Sequence, residues 1–200
     1  MQSGCTMDLT GLFPVLVIFG IVAIAAYSIK VAKKKIRQKL EPIALAMGGE
    51  LVSGYFLQDC VRFMSHGQEQ RIEVLPAVKN RPPTLILKQV TELDFDLGVM
   101  TESMITRAAE RLGLPIEIKT GDPVFDEKYL LSSSAKDRAQ IFLSSSERRQ
   151  IIDNFFNAGF TMMNLKMKML SVSKPNYADQ DLDPAFLRAQ LDQLQKFING

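Results

Sequence analysis

The densest arrangement of chemically capable side chains in this 200-residue chain is Thr120-Gly121-Asp122-Pro123-Val124-Phe125-Asp126. Gly121 can adopt a positive φ, Asp122 can cap a helix, and Pro123 suits a first helical position. If the turn is helical, Asp122 and Asp126 stand one turn apart on one face, which suits a carboxylate pair or a divalent cation. The same residues also serve as an ordered turn pinned by Asp122, with Phe125 plugging the core. Asp122, Phe125 and Asp126 are therefore the candidate binding loop.

The remaining inventory is thin. His66, the single histidine, stands beside Gly67 where a hairpin turn is expected, and Cys5 and Cys60 are the two cysteines. A nucleophile would have to pair His66 with Cys60 or Ser65, and nothing in the spacing fixes such a pair. One histidine and two distant cysteines cannot form a structural zinc site. No P-loop, GxGxxG, GxSxG or HExxH is present. We expect no catalytic set, no metal ligands and no cofactor. Met162, Met163, Met167 and Met169, with Phe160 and Leu165, suit an irregular core or an apolar pocket for a lipid-like ligand.

Hydrophobic periodicity supplies the elements that position these residues. Ile36, Leu40, Ile43, Ala44 and Met47 recur at helical spacing, with Pro42 as a break or kink and Gly48-Gly49 as the stop. Strand patterns cover Glu50–Phe56, Cys60–Met64, Arg71–Leu75, Thr84–Val90 and Leu93–Val99, with Ser65–Gln68 as a turn. Arg81-Pro82-Pro83 reads as an extended connector. A helix is expected over Glu102–Leu112, then a short strand at Ile116–Lys119. Ala135, Ala139 and Phe142 share a helical face behind Ser132-Ser133-Ser134. Ser144 and Glu147 have capping-box spacing ahead of Ile151, Ile152, Phe155 and Phe156, and Gly159 closes that helix. Leu165, Met167 and Met169 alternate with Lys166 and Lys168 as one strand, and Asp183-Pro184 opens a last helix bearing Leu187, Leu191, Leu194 and Ile198. Segregated helices and strands indicate an α+β domain with a mainly antiparallel sheet.

Charge and apolar runs place that domain. Leu9–Ile29 carries no charge, and about 20 apolar residues span a bilayer core. Lys30, Lys33, Lys34, Lys35, Arg37 and Lys39 follow directly, a stop-transfer signal and a candidate contact for anionic lipid. Ala23-Ile24-Ala25 resembles a cleavage site, but a cleavable leader carries its cations before the apolar run. The expected organisation is therefore 1–8 outside the membrane, 9–29 as a transmembrane helix, 30–39 as a basic juxtamembrane stretch and 40–200 as a cytoplasmic domain on the inner membrane. Residues 40–200 hold 18 Lys and Arg against 21 Asp and Glu, which excludes the basic footprint of a nucleic-acid binder.

A span, a basic stretch, a β-rich region and then Gly121-Asp122-Pro123-x-Phe125-Asp126-x-x-Tyr129 resemble an uncharacterised bacterial family of single-pass membrane proteins. In that family a similar GDPxFDxx(F/Y) motif precedes a leucine-rich helix and further strands. The resemblance implies the architecture and brings no activity. The resulting expectation is a membrane-anchored, non-catalytic interaction module that binds a protein partner or itself. The alternatives are an apolar-ligand domain, or a metal-assisted enzyme using Asp122 and Asp126.

Overall fold

The computed structural model describes residues 12–53, 59–79, 81–101 and 117–200. The expected helix over 102–112 lies outside them, as do the last residues of the expected strand Glu50–Phe56. The first element, α1 (Leu12–Met47), is one continuous helix of 36 residues. Pro42 sits within it on an exposed side, where the Gln38 carbonyl that lacks an amide partner can reach water. Of the break or kink expected at Pro42, the break does not occur. Gly48, at φ +68°, ends the helix: the Gly49 amide donates to Ala44 and the Gly48 amide to Leu45. This is the paired hydrogen bonding of a left-handed C-terminal cap.

Nine strands among the described residues form one sheet: β1 (Glu50–Val52), β2 (Cys60–Ser65), β3 (Gln68–Leu75), β4 (Thr84–Val90), β5 (Leu97–Thr101), β6 (Glu117–Ile118), β7 (Tyr129–Ser132), β8 (Met162–Lys166) and β9 (Met169–Pro175). Their order is β1-β2-β3-β4-β9-β8-β5-β7-β6, and every pair is antiparallel. Helices α2 (Pro123–Lys128), α3 (Lys136–Leu143), α4 (Ser146–Asn157) and α5 (Pro184–Asn199) complete the fold, with a 3-10 turn at Asp179–Leu182 before α5. The α+β class with an antiparallel sheet and packed helices is thus what the chain adopts.

Burial alternates along the strands, so one sheet face lies under the helices. Ile72, Val74, Leu85, Leu87, Val99, Leu131, Met163, Leu165 and Val172 join Ile36, Leu40 and Ile43 of α1 and Leu187, Leu191, Leu194 and Phe197 of α5 in one apolar core. Two buried glutamines interrupt it. Gln70 donates to Gln89 at 3.1 Å, and Gln89 donates in turn to Gln68 and Gln195. On the neighbouring strand β9, four residues along from Leu170, the partner of Gln89, Lys174 forms a largely buried ion pair with Asp181 at 2.7 Å.

Two strand expectations fail for local reasons. Leu165–Met169 is a tight hairpin and not one strand: Met167 (φ 51°) and Lys168 (φ 58°) both take left-handed backbone between β8 and β9. Such two-residue turns favour Asn or Gly, so Met-Lys left no signal. The His66-Gly67 turn between β2 and β3 has the same positive φ values and was legible because of its glycine. The expected strand from Leu93 begins only at Leu97; just before it, the Asp96 carbonyl accepts from the Ser133 hydroxyl and the Asp96 carboxylate from the Ser134 amide. At α4 the N-cap is Ser145, one residue later than expected, and its hydroxyl accepts from the Arg148 amide.

Among the described residues no helix is long and apolar enough to cross a membrane. The apolar run expected to cross starts at Leu9, outside them. Within α1, Val17, Ile18, Phe19, Ile21, Val22 and Ile24 are all exposed, whereas Ile36, Leu40 and Ile43 are buried in the domain.

Candidate functional site

Pro123 opens α2 directly after Asp122, whose Oδ1 accepts from the Val124 and Phe125 amides, each at 3.2 Å. Gly121, at φ +86°, makes the turn before it. Asp126 points back across that turn: its Oδ1 accepts from the Thr120 amide (2.9 Å) and hydroxyl (2.8 Å), and its Oδ2 from the Gly121 amide (3.1 Å). Burial would raise this carboxyl, but the donors from Thr120 and Gly121 outweigh it and hold it below the usual carboxylate range. The two carboxylates that spacing placed on one face are therefore turned to different donors. The arrangement acts as a clasp closing a loop.

The clasp is tied to the rest of the domain by three further groups. Arg149 brings its Nε to 3.4 Å from Asp122 Oδ2 and donates through Nη1 to the Leu143 and Ser144 carbonyls, both at 2.8 Å. Phe125 is buried with its ring 4.9 Å from that of Tyr129, as its role as a plug requires. The Tyr129 hydroxyl donates to Asp153 at 2.8 Å, and burial together with that carboxylate drives its pKa far upward. The loop borders a cleft of about 150 Å³, lined by Asp122, Lys128, Arg149, Gln150 and Asp153 among others. That is below the usual range for small-molecule sites, roughly 300–1,000 Å³. Among the described residues no group of three or more His, Cys, Asp and Glu is placed to hold a metal ion.

Cys60 and His66 lie at opposite ends of β2, and Cys60 is buried, which pushes its thiol pKa up. A thiol–imidazole pair is not formed. The methionines also part company: Met163 enters the core, Met162 sits on the opposite face, and Met167 is exposed at the hairpin tip. Of the basic stretch, Lys33 lies 3.3 Å from Asp59, and Lys39 lies 2.9 Å from Asp179 and over the Tyr177 ring at 5.3 Å. The hydrogen bond from Lys39 to Asp179 raises the lysine's pKa. Lys30, Lys34, Lys35 and Arg37 are exposed.

Larger concavities gather where α1 ends, and the sequence reading missed them. A cleft of about 630 Å³ runs from Gly48 and Gly49 to Phe63 and Met64. A second of about 370 Å³ shares Phe63 and Met64 and adds Met47, His66, Arg188 and Asp192. A third of about 410 Å³ continues past Arg188 and Asp192 along α5. The i,i+4 spacing of Arg188 and Asp192 on the polar face of α5 was the available signal, and it marks a solvated face equally well.

No family model matches the chain. In sequence it is similar to the glucose import ATP-binding protein GlcV of Saccharolobus solfataricus, with 25% identity over 123 residues. Those residues are 61% of this chain and 34% of that protein, so the chain spans about a third of the relative's length. In structure it is similar to the mycobacterial trehalose monomycolate transport factor A, TtfA. The TM-score is 0.53 at 10% identity, covering 82% of this chain and 90% of that one. That likeness shows a shared fold.

Proposed function

We propose that this chain is a single-pass membrane-anchored protein whose α+β domain is a non-catalytic interaction module at the cytoplasmic face. The observation that carries the reading is the division of α1. Its first half presents Val17, Ile18, Phe19, Ile21, Val22 and Ile24 to the surroundings, and its second half buries one face, Ile36, Leu40, Ile43 and Ala44, in the core. Contiguous exposed apolar surface of this kind is costly in water and ordinary in lipid. The helix is unbroken from one environment to the other, so the domain is carried on a rigid stalk. The cations from Lys30 onward favour the cytoplasmic side for the domain.

The absence of nucleotide chemistry in the sequence bears on the similarity to an ATP-binding protein. No G-x-x-x-x-G-K-[ST] loop exists here to cradle phosphates, so that likeness is not read as ATP binding. A fold shared with a protein named as a transport factor accords with an accessory role beside other membrane components. The clasp at Asp122–Asp126 uses its polar groups internally, which favours a structural role for the motif and binding elsewhere.

The test is fractionation of the full-length chain expressed in a bacterium. Retention in the membrane through an alkaline carbonate wash, with release by mild detergent, supports anchoring. Release by the wash overturns it. Native mass spectrometry of the detergent-purified chain then reads the interaction half: a second protein or a homo-oligomer supports it, and a bare monomer opposes it.

A further inference from the structure

The direction of α1 relative to the sheet can be read from two contacts at its ends. Lys33 meets Asp59, which immediately precedes β2, and Met47 lines one cleft with Phe63 and Met64 near the end of β2. From Lys33 to Met47 the helix advances about 21 Å. From Asp59 to Met64 the strand advances about 17 Å. The two therefore run in the same direction, and the exposed apolar half of α1 leaves the domain at the sheet end where β2 begins.

That end also carries the connector between β3 and β4, residues 76–83. Cys60 pairs with Glu73, so Leu75 already lies about 7 Å beyond the start of β2 in the direction of the stalk. The far side of the connector is tied to α1 by a separate route. The Asn176 amide donates to the Pro83 carbonyl at 2.8 Å, and the neighbouring Tyr177 ring lies under Lys39. Ile29, the last residue of the apolar run, is about 6 Å up the helix from Lys33. The connector thus reaches toward the level at which the apolar run gives way to cations.

Its tip has a defined shape and composition. Val78 and Arg81 exchange backbone hydrogen bonds of 2.9 and 2.8 Å, closing a small turn. Val78 is 53% exposed, and Lys79 and Arg81 are exposed. Neither cation forms an ion pair among the described residues. The acids Asp59 and Asp179 already face Lys33 and Lys39.

We propose that Val78, Lys79 and Arg81 form a second membrane contact, binding the anionic surface of the bilayer that α1 enters, with Lys79 and Arg81 at the headgroups and Val78 at the interface. With Lys30, Lys34, Lys35 and Arg37 it makes a two-point attachment that sets the domain's rotation about the stalk. The proposal rests on the anchoring by α1 proposed above. Each cation near an anionic leaflet is expected to favour the docked state about fivefold.

The experiment places an environment-sensitive fluorophore on Val78→Cys in a Cys5→Ser full-length chain, reconstituted in nanodiscs of phosphatidylcholine with or without phosphatidylglycerol. The expected result is a blue-shifted emission at position 78 in the phosphatidylglycerol discs. The shift should be lost in the Lys79→Glu/Arg81→Glu variant and absent from a probe on Met64→Cys at the opposite end. Water-like emission at position 78 in protein that co-elutes with the discs overturns the contact and leaves the anchor standing. Protein that elutes free of the discs overturns the anchor itself. An unchanged blue shift in the double Glu variant also overturns the proposal, since the cations would then have no part in it.

Discussion

Lys33 Nζ stands 3.3 Å from Oδ1 of Asp59, and the two residues differ sharply in access to water: the lysine side chain is 34% exposed, the aspartate 1%. Among the described residues neither Asp59 oxygen accepts a hydrogen bond. The pair joins the stalk helix to the sheet, and its two halves are not equivalent.

Removing the cation should cost far more than removing the anion. Lys33→Met leaves a carboxylate buried without its counter-charge, a change worth about 3 kcal/mol or more at buried sites. Asp59→Asn leaves a lysine that can turn to solvent, and should cost under about 1 kcal/mol. Chemical denaturation of both variants checks the asymmetry. Equal losses would show that the pair does not behave as a buried charge and its screen.

Asp126 should make the clasp sensitive to acid. Its folded pKa lies below the ordinary 3.8, so its contribution is complete above the unfolded value and is lost as pH falls through the lowered one. Asp126→Asn directs an amide N–H at the Gly121 N–H, and should destabilise the domain at neutral pH by about 1.5–3 kcal/mol. It should also flatten the fall in stability below the carboxylate range. Thermal melts of both proteins from neutral pH downward measure both effects.

The buried glutamines offer a test of coupling. Gln89→Leu strands the Gln70 side chain, which is 2% exposed, and should cost about 1–3 kcal/mol. Replacing Gln70 and Gln89 together by Leu removes donor and acceptor at once. The double variant should be more stable than the sum of the single variants implies, as a denaturation-based double-mutant cycle would show.

Leu40, wholly buried on the domain half of α1, fixes the stalk to the core. Leu40→Ala should destabilise the domain by about 2–5 kcal/mol. Leu45→Ala, five residues on and 87% exposed, should change stability by less than about 0.5 kcal/mol. Equilibrium denaturation distinguishes a helix docked in this register from one that is merely tethered.

The elements legible in the sequence were those whose signals are local. Strand patterns over Arg71–Leu75 and Thr84–Val90 announced β3 and β4, Asp183-Pro184 announced α5, and the His66-Gly67 turn showed itself through its glycine. The β8–β9 hairpin stayed hidden because Met167 and Lys168 adopt left-handed backbone without the residues that normally mark it. Nor could the sequence choose between a broken and a continuous helix at Pro42, since whether a proline breaks a helix depends on which side faces water.

By itself the sequence determined the α+β class, the apolar and basic halves of the first helix, and the apolar stripes that became the core, because side-chain period is a property of the chain alone. Only the tertiary structure decided what Asp122 and Asp126 do. Spacing gave them a common face, but the donors of Thr120, Gly121 and Arg149 turned them apart. It also decided strand order, the placing of Asp59 against Lys33, and the end of the sheet from which the stalk departs. These depend on contacts between residues far apart in the chain, and local pattern carries no record of them.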